Sequence, residues 1–228
     1  MAKYIKNEVA YYYDSHPTEE DLMGEAPIHR ELIHYLADVL KWLFREQVCV
    51  VYENINVFQT SEEDEYPITP DIAVIKGVES LDIISWRADI HGPAPHVVFE
   101  IASDKTWRND LREKPEEYAQ MGVEEYFAYD PHVPTIIRKN PQRLFGWHLD
   151  RETQQMQAMP MGQGGRMWST HLDSFLIPNE KYLRLYDRFG HLRLTGFEAQ
   201  TIRAEMEAQR AKSLADKLRK LGIDPDQD

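Results

Sequence analysis

Two acids are set where acids are costly. Glu100 interrupts the apolar run HVVFEIA, and Asp71 opens the run PDIAVI. In an extended chain alternate side chains share a face, so Glu100 lies with Val98 and Ala102 while Val97, Phe99 and Ile101 point the other way. Both faces are apolar, which reads as a central strand covered on both sides. A carboxylate there is unfavourable unless a cation or a hydrogen-bond donor meets it. Asp71 shares its face with Ala73 and Ile75. Two acids at the edges of neighbouring strands can converge on one hard cation, and an all-oxygen set with open positions suits magnesium, with manganese as a substitute. Such an ion polarises a phosphodiester and lowers the pKa of a bound water. Each acid also has a plainer reading: Asp71 as a turn residue after Pro70, Glu100 as the partner of a buried arginine.

The elements that must carry these acids follow from the hydrophobic pattern. Leu32, Ile33, Leu36, Val39, Leu40 and Leu43 recur at intervals of three and four, which predicts an amphipathic helix over His29 to Phe44. VCVVYENINVFQT is rich in strand formers, and the acidic SEEDEYP after it reads as a solvated loop. KGVESLDIISWRADIHGPAP is a loose stretch with room for a turn of helix. After HVVFEIA the pattern predicts a helix through Glu116, Tyr118 and Met121 that stops at Gly122, then a strand at EYFAYD. A strand, helix and strand in succession predict two parallel strands joined by a crossover. From Thr135 to Leu194, the short runs TIIRK, LFGWHL and MQAMPM, separated by NPQR and GQGGR, predict a β meander. Phe197 to Leu221 lacks Gly and Pro and predicts a helix; Ile202, Met206, Leu214, Leu218 and Leu221 give it an incomplete apolar stripe, interrupted by Gln209 and Ser213, short of a full coiled-coil repeat.

PDIAVI, followed by VVFEIASDKTWRNDLREKPEEYAQMGVEEYFAYDP, resembles the Uma family of proposed restriction endonucleases, within the PD-(D/E)XK nuclease-like superfamily. The resemblance spans roughly residues 25 to 195. It implies a restriction-endonuclease-like α/β fold with a mixed central sheet flanked by helices. It also implies that Asp71 and Glu100 hold the metal while a lysine orients or activates the attacking water. The superfamily's usual lysine position, two residues after the glutamate, is Ala102 here. The Uma pattern places the lysine on the following helix, at the position of Lys114, with Lys105 as a substitute if Lys114 points away. Pro115 disfavours helical geometry at the residue before it, which predicts Lys114 just outside the helix. By the same resemblance Glu25 and His29, in GEAPIH, match a family feature near the first helix, and Glu25 or Glu31 is a candidate third acid. The Ile101 carbonyl is a candidate further ligand.

The implied activity is magnesium-dependent hydrolysis of DNA phosphodiesters, with homodimerisation expected of an enzyme that cuts two strands. A net charge of -13 opposes binding to a polyanion. Pro131 to Gly196, however, carries nine Lys and Arg against five Asp and Glu, which makes that segment the candidate basic surface. The alternative is a catalytically inactive nuclease fold reused as an interaction module, with its C-terminal helix recruiting partners. The expected organisation is a lead-in over 1–28, the nuclease-like domain over 29–196 and the helical tail over 197–228. No run reaches the roughly 20 apolar residues that span a bilayer, so a cytoplasmic protein with no membrane partner is expected. Cys49 is the single cysteine, so an intrachain disulfide is excluded. His29 and His34 lie five apart, on different sides of their helix, and do not form a zinc-protease pair.

Overall fold

The computed structural model describes residues 27–59, 66–137 and 141–222. Most of the expected lead-in, with Glu25, and residues 61–65 of the SEEDEYP loop lie outside the described residues. The chain opens with α1 (Pro27–Leu43), whose Leu32, Ile33, Leu36, Ala37, Val39 and Leu40 are buried. Strands β1 (Cys49–Glu53), β2 (Asn56–Phe58), β3 (Ile72–Lys76), β4 (Ser85–Arg87) and β5 (Val97–Ile101) follow. Two short helices come next, α2 (Trp107–Arg112) and α3 (Lys114–Met121). Strands β6 (Glu125–Tyr129), β7 (Leu144–Asp150), β8 (Gln155–Ala158), β9 (Met167–Ser169), β10 (Ser174–Asn179) and β11 (Tyr182–Tyr186) precede the last helix, α4 (Gly196–Lys220).

Six strands form one mixed sheet in the order β1-β3-β5-β6-β7-β8. The expected parallel pair is β5 with β6, Glu100 facing Ala128 in the ladder. All five residues of β5 and of β6 are buried, as befits strands covered on both faces. One face of the sheet, with Ile72, Val74, Val97, Phe99 and Ile101, packs on α1 and on Leu176, Leu183 and Leu185 of the β9–β11 meander. The other, with Ala73, Ile75, Val98, Tyr126 and Ala128, packs on Tyr118 and Met121 of α3 and on Trp86 of β4. The alternation read from the two apolar runs is therefore the alternation observed.

Three local readings are corrected. The loose stretch after β3 contains strand β4, paired in parallel with β2; three residues are too few to show an alternation, and the strand is secured by the fully buried Trp86. Thr135 to Ile137, the described part of TIIRK, is not a strand. Asp130 binds the Thr135 hydroxyl and the Ile136 amide, and so folds this segment into a turn. MQAMPM is a strand only through Ala158.

Candidate active site

Asp71 immediately precedes β3, and β3 runs antiparallel to β5 with Ile72 opposite Phe99. One step further in that register sets Asp71 opposite Glu100, on the same face of the sheet. Directly opposed side chains in such a pair have Cβ atoms about 5 Å apart. The Asp71 carboxylate is fixed from two sides: Oδ2 accepts the Ile101 amide at 2.6 Å and lies 3.1 Å from His29 Nε2 on α1. Asp71 thus links the ends of β3 and β5 to the start of α1.

Glu100 is 4% exposed. Its Oε1 lies 2.8 Å from the Lys114 ammonium and accepts the Tyr118 hydroxyl at 2.5 Å. Lys114 also lies 3.1 Å from Asp110 Oδ1, four residues earlier on α2. The Asp110 carboxylate is 1% exposed; its Oδ1 has no hydrogen bond and is answered by that ammonium, while Oδ2 accepts the Thr106 hydroxyl at 2.9 Å.

The backbone explains how Lys114 is aimed. Pro115 has no N–H to bond back to Leu111, so the helical path breaks into α2 and α3. Glu113 remains in helical geometry at φ -95° and ψ -48°, and its carbonyl accepts the Glu116 and Glu117 amides. Lys114 is consequently the first residue of α3, not a residue outside it as Pro115 alone suggested. Pro115 falls in the first turn, where a missing N–H is tolerated. Gly122, left-handed at φ 83°, closes α3. Asp110, Lys114 and Tyr118, spaced by four, all turn toward Glu100.

Burial dominates the electrostatics. It raises Glu100 from 4.5 to about 8; Lys114 opposes the shift, and Asp71 and Asp110 add to it. Burial also raises Asp110, again against Lys114. For Lys114, burial favours the neutral amine, but Glu100 and Asp110 outweigh it and move the ammonium well above its ordinary range. The amine is therefore a protonated donor at neutral pH. Burial and the charge of Glu100 hold the Tyr118 phenol protonated as well, so it too acts as a donor.

Of the expected site residues, the structure brings together Asp71, Glu100, Ile101 and Lys114. Lys105 is exposed. Glu31 is on α1 but away from the cluster, its carboxylate bound to Lys181 Nζ and the Tyr182 hydroxyl. The buried acid beside the pair is Asp110, which the sequence reading does not single out; the contact from α1 is His29, which the resemblance matches to a family feature near the first helix. His34 turns elsewhere, to Glu53 at 2.5 Å. Among the described residues the charges of the basic segment are largely paired internally. Arg151 binds Glu124, Lys181 binds Glu31, Arg188 binds Asp173, and Arg143 binds the carbonyls of Asp130 and Glu180.

The mixed sheet sets two acids across neighbouring strands, with a helix-borne lysine on one of them. The family model described as "Putative restriction endonuclease", Uma2, matches residues 4–170. The chain belongs to the Uma2 family. No curated protein matches it. Among solved structures it is similar to a "putative nuclease belonging to DUF820 from Anabaena variabilis ATCC 29413", at 12% identity and a TM-score of 0.45, over 66% of this chain and 75% of that one.

Proposed function

We propose that this protein is a magnesium-dependent endonuclease that hydrolyses DNA phosphodiesters. The observation that carries the reading is the placement of Asp71 opposite Glu100 with the Lys114 ammonium on the latter. The donor set fits the ion. Asp71 Oδ1 and Glu100 Oε2 accept no hydrogen bond among the described residues. The Ile101 amide donates to Asp71, and a strand residue's carbonyl leaves on the same side as its amide, so the Ile101 carbonyl faces Asp71 as well. Among the described residues no three His, Cys, Asp or Glu side chains form a ready-made cation site. Magnesium keeps several waters and is commonly held by one or two carboxylates plus substrate phosphate, a donor number that Asp71 and Glu100 supply.

Asp71, Glu100 and the Ile101 carbonyl would hold the ion, which would supply an activated water and neutralise charge on the phosphate. Lys114, protonated, donates to a phosphate oxygen or to the attacking water and stabilises developing negative charge; it does not take the proton. Tyr118 and Asp110 fix the directions of Glu100 and Lys114, and the Ile101 amide and His29 fix Asp71. The test is nicking of supercoiled plasmid with magnesium or manganese. Wild-type protein cleaves, and Asp71→Asn and Glu100→Gln abolish cleavage. Activity indifferent to both substitutions would rule the assignment out.

The internal pairing of the basic segment, together with the net charge of -13, favours a second reading: a nuclease fold retained as an interaction module. It predicts no cleavage under any metal, and no calorimetric binding of manganese that depends on Asp71 and Glu100.

A further inference from the structure

Helix α4 runs for 25 residues with none of them buried. Its start is fastened to the domain. Thr195 and Glu198 form a reciprocal capping box, Glu198 lies 3.7 Å from Arg184, and Gly196 sits so close to the Trp42 ring that a Cβ would come within 3.0 Å. Beyond that root, Ile202, Met206, Leu214 and Leu221 are exposed.

Ile202, Met206, Arg210, Leu214 and Leu218 are spaced uniformly by four. Residues so spaced drift about 40° per step around a helix, forming an inclined ridge instead of a straight heptad seam. The ridge is symmetric about Arg210. A two-fold axis there would set Ile202 against Leu218 of a second copy and Met206 against its Leu214. The charges are complementary in the same sense. The half before Ala208 carries Glu198, Glu205 and Glu207 against Arg203, while the half after it carries Arg210, Lys212, Lys217, Arg219 and Lys220 against Asp216. Antiparallel pairing opposes acidic half to basic half, whereas parallel pairing sets like against like.

We propose that α4 is a self-association surface, paired antiparallel with α4 of a second copy of this chain. Arg210 on the axis meets Arg210 of the second copy, and the two long side chains turn their like charges outward to solvent. This pairing is independent of the chemistry at Asp71 and Glu100.

Sedimentation equilibrium of the full chain tests it, with circular dichroism confirming that each variant stays folded; the substituted residues are on the exposed helix. Wild type is dimeric. Met206→Glu and Leu214→Lys, each alone, raise the dissociation constant at least about tenfold, since each loses an apolar contact twice per dimer. The double variant M206E/L214K recovers dimerisation. In the antiparallel register each glutamate faces a lysine, whereas a parallel pair would set glutamate on glutamate and lysine on lysine. A monomeric wild type, a dimer unaffected by the single substitutions, or a double variant still monomeric would each overturn the proposal.

Discussion

Glu100 makes stability depend on pH in an unusual direction. Burial raises its carboxyl from 4.5 to about 8 in the native protein. Between those values the folded chain retains a proton that the unfolded chain has released. Unfolding therefore releases a proton, low pH favours the native state, and stability falls as pH rises through the window. The maximal slope for one group is about 1.4 kcal/mol per pH unit. From about pH 5 to about pH 8 the contribution is on the order of 3 kcal/mol, a substantial share of a typical domain's stability.

Glu100→Gln isolates this contribution, because it keeps the side-chain shape and removes the proton. Urea denaturation of both proteins without divalent metal, at half-unit steps of pH, gives the two stability curves. The difference between them, Gln variant minus wild type, should climb by a few kcal/mol across the window. Added magnesium should flatten the wild-type curve, because an ion bound to the carboxylate displaces the proton that the native state otherwise keeps. Parallel curves in metal-free buffer would refute the reasoning, since Glu100 would then be as easily ionised folded as unfolded.

Lys114→Met removes the cation from two buried acids at once and should cost about 3–5 kcal/mol above about pH 8, measured by denaturation, with the loss shrinking as pH falls, first as Glu100 and then as Asp110 takes up a proton. In the plasmid assay the same variant should lose on the order of 10²-fold in rate, the cost of deleting one charge-stabilising donor. Gly146→Ala places a Cβ 2.9 Å from the Phe127 ring and 3.0 Å from Met167 Sδ, and should lower stability by about 1–3 kcal/mol in the same denaturation experiment. Thr195→Ala removes the N-cap of α4 and should weaken that helix by about 1 kcal/mol, read as faster amide exchange in its first turn with the domain's protection unchanged.

What the sequence made legible was periodic. The faces of β3 and β5 were readable from alternation, and with them the fact that Asp71 and Glu100 share a side. The stop of α3 was readable from Gly122. Register was not readable: nothing in the spacing of the two runs says that Asp71 stands opposite Glu100 and not opposite a residue two positions away. The third acid was hidden for a related reason. Asp110, Lys114 and Tyr118 are spaced as on one helix face, but Pro115 suggests a break just where that spacing must be carried through. The observed break keeps Glu113 helical, so the periodicity survives the proline. His29 and β4 depend on contacts distant in the chain, Asp71 for the first and β2 for the second, and a local pattern does not contain them.

Among the described residues the cluster holds more acids than cations. Asp71, Glu100 and Asp110 gather around one ammonium, with His29 beside the first. Purely structural buried pairs match acid to base, because an unanswered charge in a dry interior is destabilising. Here the mismatch is relieved by a proton on Glu100, the acid with the most strongly raised carboxyl and with two donors on a single oxygen. Such a group gives up its proton readily to a cation that can replace it. The arrangement that makes Glu100 costly to ionise alone is therefore the one that makes it selective for company: a dication between Glu100 and Asp71 would restore the charge balance. Lys114 is already held in place by Asp110 and would not need to move.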